Sequence, residues 1–132
     1  MPDFVFNKLV RDNIPSLQKK EGAETTYRIL STQEHALQLR TKLVEEAGEV
    51  NESATRKELV SELADVLQVL ESLCEAEGVS LDEVRKAQTD KRNHAGAFND
   101  RVFIEKIRLA ENDKWVAYYR DKPERYPEID SL

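Results

Sequence analysis

One pattern constrains this chain more than any other: a hydroxyl residue followed three positions later by glutamate. It occurs as Ser31-Thr32-Gln33-Glu34, Thr55-Arg56-Lys57-Glu58 and Ser80-Leu81-Asp82-Glu83. Each fits a capping box, in which hydroxyl and carboxylate satisfy the orphan N–H groups at a helix start. One match decides little. Three, each followed by apolar residues at helical spacing, predict helices over 32–51, 56–77 and 81–93. Gly78 is placed to end the second of them. Asn13-Ile14-Pro15 marks a boundary before a short helix, and Gly22 a turn. Tyr27 to Leu30 and Arg101 to Ile107 read as short strands that could pair with one another. The aromatic, proline-bearing C-terminus reads as an extension packed on the surface. The expected fold is therefore an all-α helical bundle with short irregular or strand-like additions at both ends. No repeat or linker divides it, so one domain is expected over 1–132, with a core of about 6–109 and an extension of 110–132.

Bulk properties narrow the function classes. The 132 residues carry 35% charged side chains and a net charge of −6. That balance argues against nonspecific binding to nucleic acid, but an anionic small ligand remains compatible if a metal ion bridges it. No run of about 18 apolar residues predicts a membrane span. The N-terminus lacks the apolar stretch of a signal peptide, so a cytoplasmic location is expected. The lone Cys74 lies in an apolar helical run and reads as a small core residue. His35 and His94 have no partners at ligand spacing and do not predict a zinc site.

The acids of the two central helices need an explanation. With Leu39 at the origin of a helical wheel, the apolar residues of the first long helix fall at roughly 0–160°, and Glu46 at about 340°, the edge of that arc. Glu49, three residues on, is its neighbour. The second helix repeats the arrangement: Glu62 shares a stripe with Val66, Val69 and Leu73, and Asp65 with Val69 and Ala76. The short connection Glu52–Thr55 predicts antiparallel packing, which brings both pairs to one seam. An unpaired charge buried there costs several kcal/mol. The bases of these helices, Lys42, Arg56 and Lys57, read as lying at the ends. Spacing leaves two readings: a solvated acidic face, or a site for a hard divalent cation such as Mg²⁺ or Mn²⁺.

Glu45-Glu46-x-x-Glu49 followed by Glu62-x-x-Asp65, within KLVEEAGEV and SELADVLQVL, resembles the E-E-x-x-E…E-x-x-D pattern of the all-α nucleotide pyrophosphohydrolases. These are the MazG-like enzymes, with dimeric dUTPases, dCTP pyrophosphatases and phosphoribosyl-ATP pyrophosphohydrolase among them. The opening FNKLVRDNIP is similar to the start of a phosphoribosyl-ATP pyrophosphohydrolase-like subgroup. Lys91-Arg92 with Gly96 and Phe98 resembles its KRxxxGxF segment. The likeness runs from about Phe6 to Leu109. It implies a helical bundle that assembles as a homodimer or higher homo-oligomer. It also implies cleavage of a nucleoside triphosphate between the α and β phosphates, giving monophosphate and pyrophosphate. Such an enzyme acts either in house-cleaning of non-canonical or excess (d)NTPs or on phosphoribosyl-ATP in histidine biosynthesis. A noncatalytic nucleotide-binding protein is the competing class.

Carried over by motif, Glu46, Glu49, Glu62 and Asp65 would bind Mg²⁺, with Mn²⁺ as substitute. Glu45 would orient or deprotonate the attacking water, placing Glu45, Glu46 and Glu49 in the catalytic set. Distal phosphates need bases: Lys91 and Arg92 are the first candidates, Lys8 and Arg11 the next, each set against a plain solvated charge. Asn93 is a candidate for ribose or phosphate, and Phe98 for stacking on a base or packing in the core. Trp115, Tyr118, Tyr119 and Tyr126 fit either a lid over a nucleobase or packing against the bundle or a partner.

Overall fold

The computed structural model describes residues 1–130 and contains five helices: α1 (Ile14–Lys20), α2 (Thr32–Glu52), α3 (Arg56–Glu77), α4 (Leu81–Ala95) and α5 (Lys114–Arg120). The fold is all-α, as the sequence predicts. The three capping signals set the starts of the three longest helices. At α2, the Ser31 hydroxyl accepts from the Glu34 N–H and the Glu34 carboxylate accepts from the Ser31 N–H. Ser80 and Glu83 make the same reciprocal pair before α4. At α3, Thr55 accepts from the Glu58 N–H, but the Glu58 carboxylate reaches one residue further back, to the Ala54 N–H at 2.8 Å. Gly78 ends α3 at φ 68°, and the Val79 N–H reaches back to the Cys74 carbonyl at 2.9 Å. This is the left-handed closure that glycine adopts without a Cβ penalty.

No strand forms among the described residues, and both strand expectations are corrected. Tyr27 and Ile29 are exposed, while Arg28 is drawn to Glu34 at 2.8 Å. That contact ties the segment to the start of α2 rather than to a ladder. In the second segment Arg101 has φ 60°, outside the β region, and Val102, Phe103 and Ile104 are exposed. Alternating apolar residues make a strand only when a neighbour supplies its hydrogen bonds.

Two compact units are present, Met1–His94 and a second beginning at Ala95. In the first, α2 and α3 form an antiparallel hairpin through a three-residue connection and make the most extensive helix contact. Leu39 and Val69 are its buried hydrophobic residues, one from each helix. In the second, Asp113 caps α5 through the Trp115 N–H. The rings of Trp115, Tyr118, Tyr119 and Tyr126 pack on one another, with Tyr119 and Tyr126 centroids 4.7 Å apart. Arg120 pairs with Glu128 at 2.7 Å and Glu111 at 3.4 Å. The C-terminal residues thus form a small folded unit of their own. Cys74 is half-buried, between surface and core.

Candidate metal centre

Antiparallel packing places Glu49 opposite Glu62 and Glu46 opposite Asp65, because rising numbers on α2 meet falling numbers on α3. One carboxylate oxygen from each of these four residues lies within 4.8 Å of the others. The quartet singled out by spacing is therefore a single cluster, two acids from each helix. Its depth exceeds the expectation for Glu46, which is only 6% exposed although the helical wheel puts it at an edge. Two of its oxygens, Glu46 Oε2 and Glu62 Oε2, are buried and accept no hydrogen bond. A buried carboxylate oxygen without a donor is costly. An all-oxygen donor set with unpartnered atoms suits a hard divalent cation such as Mg²⁺ or Mn²⁺. An open groove lined by Glu49, Glu52, Ser53, Glu58 and Glu62 shares two of its acids with the cluster.

The electrostatics follow from the crowding. Burial is the main cause holding the Glu46 carboxyl above its ordinary value of 4.5; Glu49 and Asp65 add to it and Lys42 opposes it. Glu62 is also raised, first because the Glu49 carboxylate is close enough to share a proton with it, then by burial, Asp65 and Glu46. A group whose folded value is raised adds stability that is complete below its unfolded value and disappears as pH rises through the folded one. Glu34 and Glu128 have the opposite sign. Arg28 and Arg120 hold them low, so their contribution fades only as pH falls below 4.5. As pH is lowered toward 4.5 the raised pair governs. Without metal, the melting temperature is expected to rise as pH is lowered toward that value. Thermal melts in EDTA check this, and a falling melting temperature would contradict the assignment.

The bases divide into two groups. Lys8 and Arg11, in the segment before α1, lie at the cluster. Lys8 Nζ is 3.3 Å from Glu45, and an Arg11 guanidinium nitrogen is 2.7 Å from Asp65. One short segment thus spans both helices with positive charge. Lys91, Arg92 and Asn93 are exposed at the end of α4, and no hydrogen bond or ion pair among the described residues joins them to the acids. Phe98 belongs to the second unit and is 96% exposed, which removes the core reading for it.

One residue was misread from sequence. Lys42, expected at a helix end, is ten residues into α2, with Nζ 3.3 Å from Glu46 and 3.6 Å from Glu45. The spacing was the available signal, since residues three and four apart on a helix are neighbours.

A family model described as phosphoribosyl-ATP pyrophosphohydrolase matches residues 14–93. That span runs from α1 into the last turn of α4 and holds the whole acidic quartet, while Lys8, Arg11 and Phe98 lie outside it. No curated protein and no solved structure matches the chain.

Proposed function

The chain belongs to the phosphoribosyl-ATP pyrophosphohydrolase family, and on that premise we propose that it hydrolyses a nucleoside triphosphate between the α and β phosphates with Mg²⁺ as cofactor, releasing monophosphate and pyrophosphate. The observation that carries the reading is the quartet Glu46, Glu49, Glu62 and Asp65, gathered from two helices around two buried oxygens without donors. These four residues would hold the ion. When bound, it supplies charge neutralisation for the phosphates and acidifies a water. Glu45, paired with Lys8 and Lys42 beside Glu46, is assigned to orient or deprotonate the attacking water. Lys8 and Arg11, which reach the acids from the segment before α1, are assigned to the phosphates, which guanidinium and ammonium groups bind well.

Lys91, Arg92 and Asn93 keep their assignment to substrate in a homodimer, where a second copy brings another α4 into play. Phe98 is assigned to base stacking, its full exposure leaving the ring face free. A second reading takes phosphoribosyl-ATP as substrate, favoured by the description of the matching family. Both readings break the same bond. No helix among the described residues is long and apolar enough to cross a membrane.

The test is an assay with Mg²⁺ over a panel of NTPs, dNTPs and phosphoribosyl-ATP, with products separated by chromatography. Monophosphate plus pyrophosphate is expected, and the fastest substrate identifies the role. Diphosphate plus phosphate would overturn the cleavage position. No turnover of any of them would overturn the enzyme reading and leave a nucleotide-binding protein.

A further inference from the structure

Lys42 stands out among the lysines by where it is. Its side chain is only 20% exposed, against 78% for Lys86. Both make an ion pair at the same i,i+4 spacing, Lys42 with Glu46 and Lys86 with Asp90, so the exposed pair serves as an internal comparison. The Lys86 pair has the character of an ordinary solvated helix pair, with both side chains in water. The Lys42 pair does not, since Glu46 is 7% exposed at its side chain. Helix stabilisation is a weak reason for it, because lysine preceding glutamate is the less favourable order along a helix.

The atoms show a more specific arrangement. Lys42 Nζ lies 3.3 Å from Glu46 Oε1. The other oxygen of the same carboxylate, Oε2, is buried and accepts nothing. One oxygen of Glu46 is therefore paired with a cation on its own helix, while the other is buried without a partner. The same ammonium lies 3.6 Å from Glu45 Oε1, so one cation sets the orientation of two adjacent carboxylates. A group that holds the far side of a ligating carboxylate fixes its rotamer and leaves a single oxygen for the ion.

We infer that Lys42 is a positioning residue for the metal centre: it holds Glu46 to one-oxygen ligation and aligns Glu45 beside it. The inference rests on the metal-centre reading above. It makes a prediction of opposite sign to the simplest alternative. If Lys42 only neutralised charge, removing it would leave the site more negative and tighten cation binding. If it positions Glu46, removing it loosens binding, by roughly 10- to 100-fold on the usual effect of deleting such a partner.

The experiment is calorimetric titration of the full chain with Mn²⁺ at fixed pH, without nucleotide, for wild type, Lys42→Met, Lys42→Arg and Lys86→Met. Helical circular dichroism is recorded for each. Lys42→Met is expected to weaken Mn²⁺ binding by about 10- to 100-fold, Lys42→Arg to recover most of that loss, and Lys86→Met to bind as wild type. Should Lys42→Met lose helical signal, Lys42→Gln is read in its place. Unchanged or tighter binding in the variant so read overturns the inference while the metal centre stands. A wild type that binds no Mn²⁺ overturns the metal-centre reading, and this inference with it.

Discussion

Glu49→Gln is expected to lower kcat/KM by about 10³-fold or more while helical circular dichroism stays at the wild-type level. The substitution keeps the shape of the side chain and removes one of four negative charges that converge within 4.8 Å. Mg²⁺ favours carboxylate oxygens over neutral amides. The ion's stabilisation of phosphate charge is worth several kcal/mol, and each 1.36 kcal/mol is about tenfold in rate. The same variant has a thermodynamic signature that a mere loss of fold does not produce. Without metal it is expected to melt at or above the wild-type temperature, because Glu49 is the main cause of the raised Glu62 carboxyl and its charge repels the cluster. With Mg²⁺ at about 100 times its Kd, wild type gains about 2.7 kcal/mol and the variant gains little. The order of the two melting curves therefore inverts on adding metal. Activity within tenfold of wild type, or equal stabilisation of both proteins by Mg²⁺, would remove Glu49 from the site.

The quartet was legible in the sequence because its geometry is local. Helix limits come from caps that involve neighbouring residues: Ser31 with Glu34, Ser80 with Glu83, and Gly78 at the end of α3. A three-residue connection then forces the antiparallel pairing that sets Glu49 against Glu62. What was not legible depends on chain segments far apart. Arg11 meets Asp65 across 54 positions, and nothing in the spacing of either residue announces that. Glu46 was placed at the edge of an apolar arc and is nearly buried, because a helical wheel sees one helix and burial comes from the other. The strand readings failed for a related reason. Alternation reports which residues are apolar, whereas a ladder also needs a partner, and Arg101 turns the chain out of the β region where the second strand was to begin.

Leu67→Asp is expected to abolish self-association and, with it, cooperative melting at micromolar concentration. On α3, Leu59, Val60, Leu63, Leu67 and Leu70 form one stripe and all are exposed, while Val69 faces α2 from another side of the helix. These side chains are already half covered, so burying the rest of each is worth roughly half of the 1.5–3 kcal/mol of full burial, and a two-fold axis would count the stripe twice. With only Leu39 and Val69 as buried hydrophobic residues, the α2–α3 hairpin has little else to hold it. Folding and association are then one event, and the wild-type melting temperature is expected to climb with protein concentration. An aspartate at position 67 puts one uncompensated charge from each copy into that face, at a cost of several kcal/mol apiece. Sedimentation equilibrium and melts over a hundredfold range of concentration check both claims. A wild type that sediments as a monomer, with a melting temperature independent of concentration, would show that the stripe is left in water and that α2 and α3 hold together without a second copy.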